Sequence, residues 1–433
     1  MNICIVSETA FPAYGGGCVQ AERVCRLLAK KHRIVFLTSK KSREELVPRN
    51  VKLYKFRSIT APLTSKSFNI PFALIKQVKS ILREENVQLT HIFMPTLPLG
   101  LAVLLAAKQL NIPVLSGYNL QIENISKNVP LIKQKRIINA LYKGMNYVLN
   151  KSDVVHCPSR FAEKLYRSTG GESRVVVISN GVDTSFFKKK NNKSVRALRK
   201  KLSKPAEKIL LFVGRLMREK NVGVLIRAFA ILQREHPELR TRLIISGKGG
   251  QERNLRKLAE KLGVNKKVVF TGYVEEKHLP SIYSVADVFI LPSLVELQSI
   301  VTLEAMASSL PIIIADSPTS AAPELVRKGR NGYLFRHDSP EDLARKIVLL
   351  IKDEEKIIRF GKNSRRIAEQ EHDIREVIKK ISRVHKELVE HRKPGKPVRK
   401  YQKKQKNNKN NYTTRLSLLL LLRKRILTSS SSS

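Results

Sequence analysis

The chain reads as an α/β protein built from two doubly wound parallel sheets that face each other across a cleft. Three observations predict this. Short apolar runs alternate with helical patterns in both halves, which is the rhythm of parallel strands joined by crossover helices. Several of these runs end in glycine turns or short polar loops, the places where such sheets receive ligands. A length of 433 residues with 42% apolar content is enough for two cores of ordinary size.

The first segment, NICIVSETAFPAYGGGCVQAERVCRLLAKKHRIVFLTS, gives strand, glycine turn, helix and strand. Gly15, Gly16 and Gly17 let backbone approach a ligand where a side chain would block it. They do not form the G-x-G-x-x-G pattern, so no nicotinamide cofactor is inferred, and no other cofactor is expected. Between Val51 and Leu82 the pattern weakens. There SFNIPFALIKQVKSIL sets apolar and basic positions at helical spacing, as in a surface helix or, alternatively, one that lies on a bilayer. VQLTHIFMP and IPVLSGYNLQIENI then read as strands around the helix LGLAVLLAAKQL, and their ends, His91 and Gly117 to Asn119, are expected to open onto the cleft if the sheet is parallel. LIKQKRIINALYKGMNYVLNKSD is a basic amphipathic helix packed on the first sheet. The lysine-rich turn of composition in VVVISNGVDTSFFKKKNNKS places an interdomain linker near 186–205.

From Ile209 the rhythm resumes. ILLFVGR, LRTRLIISGKGG, KVVFTGYV, ADVFILPS, LPIIIADS and GYLF are six strand-like runs separated by helical patterns. After SPEDLARK the chain is helical throughout. From Lys393 onward it carries twelve lysines and arginines and no acid, and it reads as a disordered tail. The tail's LSLLLLL is far short of the roughly 20 apolar residues that span a bilayer.

The charge is the strongest compositional signal: 82 Lys and Arg against 36 Asp and Glu leave a formal net charge of +46. That balance favours anionic partners. The cations are scattered through helices rather than interleaved with aromatics, which argues against nucleic acid and for an anionic membrane surface. Four cysteines (Cys4, Cys18, Cys25, Cys157) show no zinc spacing, and MNICIVSETAF lacks the basic start of a secretory leader. A cytoplasmic protein, peripheral on the inner face of the cell membrane, is expected.

The centre of the molecule is predicted at ELQSIVTLEAMA, residues 296–307. A helix starting near Ser299 leaves the first N–H groups, those around Ser299, Ile300 and Val301, free to hold an anion, and it puts Glu304 about one turn in. Upstream, FVGRLMREKNV sets Arg215 and Lys220 at a strand's carboxyl edge. Two glutamates eight apart, or two surface cations, are common in any charged chain. Together after two strands of one sheet they describe a pyrophosphate site with carboxylates beside it for sugar and ribose hydroxyls. No aspartate-rich cluster for a metal accompanies them.

These residues resemble a family. VISNGVDTSFF (177–187), FVGRLMREKNV (212–222), VVFTGYV (268–274), the Glu296 to Glu304 pair followed by AMASSLPII, and PELVRKGRNGYLF (323–335) match, in order and spacing, the retaining glycosyltransferases of family four. The likeness runs from Met1 to about Val389. It implies the GT-B fold, two facing Rossmann-like domains with a C-terminal helix that crosses back: 1–190, 205–370, the returning helix 371–392, and the tail 393–433. It also implies a nucleotide-diphosphate sugar as donor, with Arg215 and Lys220 taking the charge of the departing diphosphate. Glu304 would then bind ribose, Glu296 the transferred sugar, and Val274 the base through its backbone, while Gly16 and Gly17 lie against the phosphates and the acceptor. Many members have histidine where this chain has Asn119, so sugar positioning is retained there without a titrating group. They also have glycine and an aromatic where this chain has Leu297, Gln298 and Ser299. The most similar members glycosylate diacylglycerol-type lipids. A soluble or polysaccharide acceptor is the alternative, and a non-catalytic basic scaffold is a third reading.

Overall fold

The computed structural model describes residues 1–13, 15–40, 42–60, 69–126 and 134–391. The basic tail, with its LSLLLLL run, lies outside the described residues. The apolar runs form strands because their side chains are buried on both faces, as a sheet covered by helices requires. In chain order the first lobe contains β1 (Asn2–Val6), α1 (Gly16–Leu28), β2 (Arg33–Ser39), β3 (Val51–Phe56), β4 (Ser58–Thr60), β5 (Asn69–Pro71), α2 (Ile75–Glu84), β6 (Leu89–Ile92), α3 (Pro98–Gln109), β7 (Val114–Gly117), α4 (Ile122–Ser126), α5 (Lys135–Leu149), β8 (Val154–Cys157), α6 (Arg160–Ser168) and β9 (Arg174–Val177). The second contains α7 (Lys193–Leu202), β10 (Lys208–Val213), α8 (Val222–Glu235), β11 (Thr241–Ser246), α9 (Glu252–Lys261), β12 (Val268–Gly272), α10 (Leu279–Val285), β13 (Val288–Leu291), α11 (Ile300–Ala307), β14 (Ile312–Asp316), β15 (Gly332–Arg336), α12 (Pro340–Ile351) and α13 (Glu354–His372). The last helix is α14 (Ile374–Glu390).

The first sheet has seven parallel strands in the order β3-β2-β1-β6-β7-β8-β9, and the second has six in the order β12-β11-β10-β13-β14-β15. Both are doubly wound. Each reverses direction once, between β1 and β6 and between β10 and β13, and a crevice opens at the carboxyl ends of those strands. The six runs read from Ile209 onward correspond to the six strands of the second sheet.

Three stretches differ from the sequence reading. Val51–Phe56 is a strand, paired in parallel with β2 from Val51 to Phe56, and β4 and β5 form a small antiparallel pair. Lys52 and Lys55, three positions apart, had masked β3. Ser67 and Phe68, where the predicted helical stretch begins, lie outside the described residues; among those described the helix is α2, whose Val78, Ile81 and Leu82 are buried, so its apolar face is turned into the lobe, and Phe72 and Leu74 remain exposed. The stretch 186–205 is not an open connector. Phe187 and Val195 are buried in the core of the second sheet, and Asn192 caps α7 by accepting from the Val195 N–H, a local choice that lysine-rich composition conceals.

The chain instead passes between lobes at 178–182, because Ile178 belongs to the first core and Val182 to the second. It passes back at 372–374. The two strands of this crossing are bonded to each other, with Val182 N donating to the His372 carbonyl at 2.8 Å and Ile374 N to the Val182 carbonyl at 3.0 Å. Beyond the crossing α14 lies against the first sheet: Ile374, Val377, Ile381, Val384 and Leu388 share a core with Ile3, Ile5, Leu89 and Val154. Among the described residues no helix is long and apolar enough to cross a membrane.

Candidate active site

The geometry starts at the β10/β13 reversal. After β10 the chain makes a tight turn, and in it Arg215, with half of its side chain exposed, donates from Nη2 to the buried Glu219 Oε1 at 3.3 Å. The Glu219 carbonyl accepts the Leu294 N–H at 2.8 Å, so the turn after β10 is bonded to the loop after β13. That bond sets Lys220 against Glu296: Nζ to Oε1 is 2.6 Å, and both side chains are largely covered. The Glu296 carbonyl accepts the Ala321 N–H at 2.7 Å, which fixes the loop from its other side.

Ser299 caps α11, its Oγ accepting the Thr302 N–H at 3.3 Å. Ile300 and Val301 follow as first-turn residues, whose N–H groups have no carbonyl to reach inside the helix. Across from them is the start of α1. A Cβ on Gly16 would stand 3.6 Å from Ile300 Cδ1, and one on Gly17 would stand 3.3 Å from Asn119 Cβ. The glycine turn is thus pressed between the two lobes, and a side chain at Gly17 would crowd Asn119. Asn119 is itself held, Nδ2 donating to the Phe93 carbonyl at 3.1 Å.

Glu304 is buried one turn into α11. Oε1 accepts from Arg23 Nη2 of α1 at 2.8 Å, and Oε2 accepts from the Tyr283 hydroxyl at 3.0 Å. Burial pushes its carboxyl upward, with Arg23 opposing that shift. The same Arg23 Nη2 reaches Glu276 Oε1 at 2.7 Å, two residues beyond Val274, whose side chain packs on the second core. The structure therefore brings Lys220 and Glu296 into contact, places α11's start opposite Gly16, and links Glu304 through Arg23 and Glu276 to the loop carrying Val274. Arg215 engages Glu219 rather than Glu296.

Several groups escaped the sequence reading. Arg23 and Glu304 are 281 positions apart, and only docking of the lobes makes them neighbours. Gln298 uses Oε1 to accept the Asn180 N–H at 2.6 Å, and the Leu297 carbonyl accepts from Ser159 Oγ at 2.6 Å. Both therefore bond the site loop to residues outside the second sheet. Glu8, just past β1, is fully buried; neither of its carboxylate oxygens has a partner among the described residues, and burial pushes its pKa up to about 8. The only signal for Glu8 was its place at a strand's carboxyl end.

Comparison with known proteins fits this arrangement. A model described as "Glycosyltransferase Family 4" matches residues 14–186, and one described as "Glycosyl transferases group 1" matches residues 194–367. The chain belongs to these glycosyltransferases. D-inositol 3-phosphate glycosyltransferase of Corynebacterium glutamicum (strain R) is 30% identical over 224 residues, 50% of this chain and 53% of that one. Alpha-monoglucosyldiacylglycerol synthase of Streptococcus pneumoniae is 25% identical over 323 residues, 73% of this chain and 72% of that one. Most of these curated matches span about half of the relative's length. HepE of Anabaena, solved in complex with UDP-glucose, superposes with a TM-score of 0.72 at 20% identity, covering 89% of this chain and 100% of that one. The fold is GT-B.

Proposed function

We propose that the chain is a retaining hexosyltransferase that moves a hexose from a nucleotide-diphosphate sugar to an acceptor hydroxyl, with a membrane lipid such as diacylglycerol as the acceptor. The observation that carries this is the meeting of Lys220 and Glu296 at the β10/β13 reversal, beside the free N–H groups at the start of α11 and opposite the glycine turn of α1. Cleaving the sugar–phosphate bond leaves negative charge on the diphosphate. Fixed donors aimed at that charge lower the barrier, typically by about 3 kcal/mol each. Arg215, Lys220 and the N–H groups of Ile300 and Val301 supply them. Glu296 takes the sugar hydroxyls, Asn119 positions the sugar, Glu304 takes the ribose, and the backbone at Val274 meets the base. In this reading the acceptor attacks on the face from which the diphosphate leaves, without a covalent intermediate on a side chain.

The lipid acceptor is supported by the streptococcal relative's name and by the net charge of +46, which would hold the protein on the inner face of the cell membrane. The corynebacterial relative favours a soluble, phosphorylated polyol as the second reading. A panel of radiolabelled nucleotide sugars, offered with mixed lipid extract, separates the two: label in the organic phase is expected, and label confined to water contradicts the lipid acceptor.

A further inference from the structure

Glu304 cannot receive a ribose in the arrangement just described. Its side chain is 4% exposed, Oε1 is occupied by Arg23 and Oε2 by Tyr283. A vicinal diol needs two acceptors on one carboxylate, and the lid over them is a side chain from the other lobe. Arg23 is an incomplete partner. Its Nη2 serves both Glu304 and Glu276, whereas Nη1 is buried with no partner among the described residues, a donor left unsatisfied at a real cost. The guanidinium carbon stands 5.7 Å from the centre of the Phe187 ring, so the group is seated between the second core and the cleft.

We propose that Arg23 is an interlobe clasp that stands in for the nucleotide's ribose. Its guanidinium neutralises Glu304 and holds α1 against α11. When the donor arrives, the 2′ and 3′ hydroxyls take over the carboxylate, and Arg23 keeps only Glu276. Glu276 is suited to this because its side chain is 57% exposed and can follow the arginine as the lobes adjust. The exchange puts two hydroxyl donors on Glu304 in place of the guanidinium, Oε2 accepting one of them beside the Tyr283 hydroxyl, while Arg23 keeps its ion pair with Glu276. Donor binding and lobe closure are then coupled through a single side chain. This inference rests on the assignment of Glu304 to the ribose.

The test measures dissociation constants by calorimetry for UDP, GDP and their 2′,3′-dideoxy analogues on the full chain, in wild type, Arg23→Met and Arg23→Gln, with circular dichroism to confirm folding. Wild type is expected to prefer the ribonucleotide it binds over its dideoxy form. Both variants should tighten the ribonucleotide by about five- to tenfold and leave the dideoxy form nearly unchanged, because only the diol competes with Arg23. Equal changes for both forms, or weaker ribonucleotide binding in both variants, overturn the clasp while leaving the ribose assignment in place. A wild-type protein indifferent to the two hydroxyls removes that assignment and the clasp with it.

Discussion

In the proposed reaction, Lys220 is the residue on which the chemistry turns. Its ammonium is neutralised by Glu296 at 2.6 Å, under cover that excludes most water. A charge in such a place is expensive unless paired, so the pair keeps a cation ready where a diphosphate would need one. Under the proposed function, the donor's phosphates compete with Glu296 for Nζ and free Glu296 toward sugar hydroxyls. Lys220→Met should therefore lower kcat by about 100- to 1,000-fold, with a smaller change in KM, in a single-turnover assay with the labelled donor. A loss confined to KM would show that Lys220 binds ground state and transition state alike. The neighbouring Arg215 is exposed and single-bonded to Glu219, free to reorient; Lys220 is held in place.

At the scale of elements, the returning helix α14 carries a device of its own. Its His385 is buried against His91 of β6, Nε2 to Nδ1 at 3.3 Å, with the His91 and His156 rings 6.3 Å apart. Burial pushes His385 down to about 3, and it lowers His91 and His156 as well. His32 is the further titrating group whose charge bears on His385. An imidazole held neutral when folded protonates near 6.5 once released. The stability it contributes is thus complete above pH 6.5 and is lost as the pH falls from 6.5 toward 3. At pH 5 this amounts to roughly 2 kcal/mol for His385. Urea unfolding followed between pH 7.5 and 5 should show that slope, and His385→Phe should flatten it; an unchanged slope would locate the acid sensitivity elsewhere. The crossing below α14 is equally particular. Gly181 has φ +77°, and a Cβ there would lie 2.8 Å from Ile374 Cδ1, so only glycine lets the two connections lie side by side.

At the scale of the whole molecule, two sheets were legible because the apolar runs of a parallel sheet need no partner to be seen: ILLFVGR or LPIIIADS is buried on both faces and reads as such. The start of α11 was legible too, since Ser299 precedes an apolar helical run and its hydroxyl caps it. What stayed hidden depends on distance along the chain. Arg23 with Glu304, Gln298 with Asn180, and the three histidines are pairings between segments that no local period connects. β3 was hidden for another reason: Lys52 and Lys55, three positions apart on an outer strand, look like the polar face of a helix. The linker was misplaced because composition reports charge, while the cap at Asn192 and the buried Phe187 decide the fold.

The central claim is that the diphosphate of a sugar donor is bound at the β10/β13 reversal. It is tested most directly by a crystal structure of the full chain with UDP-glucose or GDP-mannose bound. The account predicts phosphate oxygens within hydrogen-bonding distance of Lys220, Arg215 and the N–H groups of Ile300 and Val301, with the sugar between Glu296 and Asn119. A donor bound with its phosphates away from these groups would contradict it.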